Sequence, residues 1–175
     1  MTQLQTSASM KIHELTSKMI SFDAGDPKRI SHFLKVHSFA KYIGENENLA
    51  PETQFILESA ALVHDIGIIP SEKKFHRCDG KIQEQEGPAF AQNMLLELLY
   101  TPEQIQRISF LVGHHHTYTN VEGIDYQILI EADFLVNMYE DNLPYEAIQN
   151  MVKNVFRTNT GKELCELLSV KADKS

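Results

Sequence analysis

The sequence has no tryptophan and only two cysteines among its 175 residues. Cys78 and Cys165 alone make neither a disulfide framework nor a zinc ribbon, so both are read as free thiols of a reducing compartment. No apolar run is long enough to span a bilayer. Residues 1–9 lack the basic and apolar regions of a secretion signal, and a cytoplasmic location is expected. Basic charge is scarce: 16 Lys and Arg face 24 Asp and Glu, a formal charge of −8. That balance argues against broad nucleic-acid or membrane-surface binding. It leaves room for a small anionic substrate, because a metal ion and a few local lysines dominate the field of a pocket. Strict apolar–polar alternation is missing as well, so no half-buried strand is expected, and neither a repeat nor a low-complexity tract interrupts the chain.

What the chain does contain reads as helix. Hydrophobic residues make up 42%, enough for one domain with one core at this length. Asp26-Pro27 is an N-cap followed by an N1 proline, opening a helix to about Asn46. Pro51 opens a second that runs to His64, with Gly67 helping to end it. Residues 69–84, polar and containing Pro70 and Gly80, read as a loop. Further helices are expected from about Gly87 to Tyr100, from the capping box Thr101-Pro102-Glu103-Gln104 to Gly113, from Asp125 to about Glu140 and from Pro144 to about Arg157. Thr160-Gly161-Lys162-Glu163 reads as a capping box for a short terminal helix. The expectation is an all-α fold, a bundle of about seven or eight helices over residues 10–175, preceded by a flexible leader at 1–9.

Histidine and aspartate recur along these helices in a fixed order. On a wheel of about 100° per residue, His32 lies inside the apolar stripe of Val36, Phe39, Ala40 and Ile43, with His37 at its edge as the fallback ligand. His64 and Asp65 end the apolar run Ala60-Ala61-Leu62-Val63 and are followed by Ile66, Ile68 and Ile69, which points to burial of the pair. Asp133 stands among Leu129, Ile130 and Val136. A carboxylate there must be paired, protonated or metal-bound. Its rival Glu131 follows polar Gln127 by one turn and is read as nearer the surface. Three consecutive histidines, His114, His115 and His116, close another helix; they fan out, so at most two share one site. Imidazole and carboxylate together suit a borderline or hard divalent cation. Glu86, taken alone, reads as negative charge favoured by a helix N-terminus. Lys73, Lys74, Arg77 and Lys81 form a basic stretch directly after the His-Asp pair, suited to holding phosphate.

This pattern resembles the HD superfamily of metal-dependent phosphohydrolases, whose signature is a His, a His-Asp pair and a distant Asp on helices of one bundle. His32 with Val36 is similar to the first motif, Ala61-Leu62-Val63-His64-Asp65-Ile66-Gly67 to the second, and Glu131-Ala132-Asp133 to the last. The resemblance covers about residues 25–160. It implies that His32, His64, Asp65 and Asp133 ligate one divalent metal, and that Glu86 with His114 or His115 stands where members with two metals place the second. The implied cofactor is iron or manganese, with magnesium, cobalt, nickel or zinc as alternatives, one or two ions per chain. His64 and Asp65 are the expected catalytic pair. Metal-activated water would cleave a phosphate ester of a nucleotide or small phosphomonoester, with Lys73, Lys74, Arg77 and Lys81 contacting the substrate. The Gly-Tyr-Pro element of the cyclic-dinucleotide-cleaving subgroup is missing. Two other readings stay open: a di-iron oxygenase on the same scaffold, and a non-enzymatic binding module stabilised by its metal.

Overall fold

The computed structural model describes residues 3–169. Among them it has nine helices and no strand, the all-α architecture expected. They are α1 (Gln3–Phe22), α2 (Pro27–Asn46), α3 (Pro51–Val63), α4 (Ile68–Phe75), α5 (Gly80–Glu97), α6 (Pro102–Val112), α7 (Ile124–Glu140), α8 (Tyr145–Asn154) and α9 (Asn159–Ser169). None of them is long and apolar enough to cross a membrane.

Local chemistry sets most of the helix starts. The Asp26 side chain accepts the Arg29 N–H at 3.0 Å, and Pro27 fills the first position of α2, where its missing N–H costs nothing. At α6, Thr101 Oγ1 accepts the Gln104 N–H while the Gln104 side chain accepts the Thr101 N–H, a reciprocal cap worth about 1 kcal/mol.

Several local expectations differ from the structure. Residues 3–9, expected in a loose leader, belong to α1; the leader's residues 1–2, like the terminal 170–175, lie outside the described residues. The stretch 69–84 is not a loop. It holds α4, closed by His76 in the left-handed conformation at φ 54, and the start of α5, capped by Asp79, which accepts the Ile82 N–H at 3.1 Å. Pro70 sits in the first turn of α4, where no intrahelical partner is lost. α5 starts at Gly80 and passes through Pro88, instead of beginning near it. Finally, Thr158 rather than Thr160 receives the Gly161 N–H at the start of α9, while Thr160 bonds to Glu47 through both its N–H and its hydroxyl.

Two helices form the centre. α3 is buried without a break from Leu57 to Val63, and α7 from Asp125 to Asp133. A helix covered on all sides has neighbours on all sides: α3 packs against α1, α2, α6 and α7, and α2 packs against both central helices. Leu15 and Met19 of α1 are fully buried and close the core on one side. Gly67, in the turn after α3, has an ordinary φ of −71 and so does not act as a left-handed helix stop. Its role is space: a Cβ there would lie 2.7 Å from the Gln83 carbonyl oxygen and 3.0 Å from the Gly87 nitrogen of α5. The missing side chain lets the turn carrying His64 and Asp65 rest directly on α5.

Candidate metal centre

Three helices deliver side chains to one cluster, and a fourth brings His115 beside it. His32 comes from the buried face of α2, His64 and Asp65 from the turn after α3, Asp133 from the middle of α7, and His115 from the turn after α6. His32 Nε2 lies 3.2 Å from His64 Nε2, 3.2 Å from Asp133 Oδ1 and 3.5 Å from Asp65 Oδ2. His64 Nε2 lies 3.4 Å from Asp65 Oδ2 and 3.6 Å from Asp133 Oδ1. Two donors bound to a common ion at about 2.1 Å stand about 3.0–3.4 Å apart for octahedral to tetrahedral angles. The observed edges fall in or next to that range.

The opposite ring nitrogens fix the tautomers. His64 Nδ1 donates to the Ala61 carbonyl at 2.9 Å and His115 Nδ1 to the Val112 carbonyl at 2.8 Å. A carbonyl oxygen only accepts, so both Nδ1 atoms carry hydrogen. His32 Nδ1 donates to the Glu140 carboxylate at 2.9 Å. Each Nε2 therefore turns toward the shared point either as a lone pair or as the second N–H of an imidazolium. The Nε2 of His115, fully buried, makes no hydrogen bond and lies 3.5 Å from Asp65 Oδ1. A buried orphan nitrogen facing a carboxylate oxygen fits a cation between or beside them, and the residues present fit a divalent metal.

Electrostatics agree. Burial opposes a charge on His64, yet Asp65 and then Asp133 outweigh it and lift its pKa to about 9. Burial likewise opposes ionisation of both carboxyls. The imidazole of His64 holds Asp65 below the usual carboxylate range, and hydrogen bonding from His32 and His64 does the same for Asp133. Without an ion, protons on the imidazoles balance the two carboxylates, Asp133 buried and Asp65 half-buried. A divalent ion held by these residues would take over that balance and displace the protons.

A second group lies beside the first. Ligand atoms of Asp65, His115 and His116 all fall within 4.8 Å of one another, as do those of His32, His64 and Asp65. Asp65 belongs to both groups, with Oδ2 toward His32 and His64 and Oδ1 toward His115, so it would serve an ion held by either. Burial, and then the charge of His115, push His116 down to about 4, leaving its ring neutral near pH 7 and able to bind a cation. Its backbone N–H is held by Glu84 Oε1 at 2.9 Å and its Nε2 by Gln83 Oε1 at 3.0 Å.

Several sequence candidates stand elsewhere. His114 points away: its Nδ1 donates to the Phe110 carbonyl at 2.7 Å and its ring stacks on Phe110 at 4.1 Å between centroids. Glu86 pairs with Lys74 at 2.8 Å and joins neither group. His37 pairs with Glu58 at 3.1 Å on the far edge of its stripe. Glu131, read as nearer the surface, is fully buried, and Gln127 is buried with it. The Glu131 carboxylate accepts from Gln127 Nε2 at 2.6 Å, from the backbone N–H of Arg157 at 2.6 Å and of Thr158 at 3.0 Å, and from the Thr158 hydroxyl. It ties the start of α9 to α7. Lys73, Lys74, Arg77 and Lys81 are exposed at the end of α4 and the start of α5. Gly80 joins this stretch to the centre, since a Cβ there would lie 2.8 Å from the His116 ring.

Sequence reasoning missed three supporting residues. Asn137 Nδ2 donates to Asp133 Oδ1 at 2.9 Å, Glu140 orients His32, and Glu84 holds the turn at His116. Asp133, Asn137 and Glu140 are spaced i, i+4, i+7 and so line one face of α7. That spacing was the available signal.

A family model of the HD domain matches residues 29–162. The chain belongs to the HD-domain family. Among solved structures, this HD-domain chain is similar to a predicted HD superfamily hydrolase from an uncultured Thermotogales bacterium, at 24% identity over 90% of this chain and 82% of that one, with a TM-score of 0.60. It is also similar to Bacillus subtilis YpgQ, at 18% identity over 92% of this chain and 87% of that one, with a TM-score of 0.64. YpgQ in complex with ADP matches at 19% identity over 92% of this chain and 88% of that one, with a TM-score of 0.63. Among curated protein sequences there is no match.

Proposed function

We propose that this HD-domain protein is a metal-dependent phosphohydrolase acting on a nucleotide or a small phosphomonoester. The observation that carries the reading is the convergence of His32, His64, Asp65 and Asp133, with His115 Nε2 left without a partner beside Asp65. A divalent cation, iron or manganese before magnesium, cobalt, nickel or zinc, supplies Lewis acidity toward a phosphoryl oxygen and lowers the pKa of water. Asp65 has the most exposed side chain of the four, 23% against 10% or less for the others. It marks the open side, where it accepts a hydrogen bond from the attacking water and orients it. His64, locked by Ala61, holds its Nε2 in place without moving. Lys73, Arg77 and Lys81 neutralise the phosphate at the rim; Lys74 does so by leaving Glu86. The likeness to a protein crystallised with ADP supports a nucleotide among the substrates.

A structural metal site closes its shell; the accessible edge of Asp65 favours an enzyme over a binding module. The di-iron oxygenase reading counted on Glu86 for its second ion, and Glu86 belongs to neither group of donors that could hold one.

Protein loaded with Mn2+ is expected to release phosphate from members of a nucleotide panel or from an aryl phosphate. His64→Ala, checked for helical content by circular dichroism, is expected to lose that activity by 100-fold or more. Inactivity of the wild type across all six metals and the whole panel overturns the reading.

A further inference from the structure

Three imidazoles face the centre, and they are not oriented alike. His64 and His115 lean on backbone carbonyls of their own turns, Ala61 and Val112. His32 leans on a carboxylate from another helix: its Nδ1 lies 2.9 Å from Glu140 Oε2. The other oxygen of Glu140 is gripped by Lys35, one turn along α2 from His32. Glu140 is half-buried at the end of α7, two turns beyond Asp133.

A charged acceptor behind an imidazole does more than hold its tautomer. It draws on the N–H and raises the electron density of the opposite nitrogen, strengthening that nitrogen as a ligand. A neutral carbonyl does so less. Lys35 works the other way, since a cation on the far oxygen drains charge from the carboxylate. The chain Lys35–Glu140–His32 thus sets how strongly one donor grips the ion, from the outer face of the bundle.

We propose that Glu140 is a positioning residue that makes His32 the strongest imidazole donor of the centre, and that Lys35 moderates it. This rests on the metal site proposed above but not on the reaction assigned to it. Neither residue touches the substrate or the ion.

The test compares wild type, Glu140→Gln and Lys35→Met. Mn2+ affinity is measured by competition with a chelating dye, the thermal midpoint on ion-free protein, and the 15N shifts of His32 by long-range NMR correlation. Glu140→Gln keeps an acceptor oxygen but loses the charge. It is expected to weaken Mn2+ binding about tenfold, to leave the ion-free midpoint within about 2 °C, and to move the His32 Nδ1 resonance while those of His64 and His115 stay. Lys35→Met leaves the carboxylate to His32 alone and is expected not to weaken Mn2+ binding. Unchanged affinity in Glu140→Gln overturns the proposal. A loss of affinity in both variants that tracks their loss of ion-free stability marks an ordinary ion pair, and overturns it too. If the wild type binds Mn2+ but hydrolyses nothing, the phosphohydrolase reading fails and this one stands. If the wild type binds no divalent ion, both fall.

Discussion

His32 Nε2 and His64 Nε2 approach to 3.2 Å across 32 residues of chain, and neither ring can turn away, because each Nδ1 is already committed as a donor. Two lone pairs at that distance repel. Something positive belongs between them or beside them, a proton in the ion-free protein and a cation in the loaded one.

The first consequence concerns stability. An ion that binds only the folded chain stabilises it by about 2.7 kcal/mol at a hundred times its dissociation constant. For a chain of this size that is a rise of about 5–10 °C in the melting midpoint. Differential scanning calorimetry with and without chelator should show the rise with Mn2+; identical midpoints would count against ion binding at this centre.

Loading also depends on pH. His64, lifted to about 9 by Asp65 and Asp133 against the effect of burial, must give up a proton to bind an ion. Apparent Mn2+ affinity is expected to fall about tenfold for each pH unit below that value, as for any single displaced proton. Titration calorimetry in buffers of different ionisation enthalpy reads the protons released, with at least one expected per ion at pH 7.

Asp23 behaves in the opposite sense to a paired carboxylate. Burial, helped by the charges of Asp26 and Asp65 and opposed by Arg29, raises its pKa from 3.8 to about 6. The folded chain then holds a proton that the unfolded chain has lost, and stability falls as pH rises from about 4 to 6. Asp23→Asn removes that charge. Its midpoint is expected to exceed the wild type's by about 2–4 °C at pH 8, roughly 1 kcal/mol, and to match it below pH 3.8. A variant less stable than wild type at pH 8 would refute the assignment.

Glu131 is a structural carboxylate. Replacing it by alanine leaves the Arg157 and Thr158 N–H groups without their acceptor at the start of α9. The expected cost is about 3 kcal/mol, a drop of about 6–12 °C. Chemical denaturation should reproduce it with metal binding retained, since Glu131 touches no donor of the centre.

What the sequence made legible was local or costly. The Asp26-Pro27 and Thr101–Gln104 caps announce their helices because a few adjacent side chains satisfy the exposed N–H groups. His32 and Asp133 stood out because polar groups in apolar stripes need partners. Pro70 misled, since a proline in a first turn and one that breaks a helix look alike without knowing where the helix starts. The choice among His114, His115 and His116 depends on how the turn after α6 rotates, which long-range packing onto α5 decides; Glu84 and Gly80 act there. Gln127 made Glu131 look exposed, whereas the two are buried together as hydrogen-bond partners. Glu140 orients His32 from 108 positions away: its place on the Asp133 face of α7 was legible from spacing, whereas the helix it meets there was not.

The four first candidates span residues 32 to 133, from α2 to the second half of α7. On the ribosome the set is incomplete until α7 has emerged and docked, so the nascent chain has no finished cage for an ion. Metal capture is therefore a late event in the life of each newly made molecule, and cofactor uptake doubles as a report that three separate parts of the chain have come together correctly.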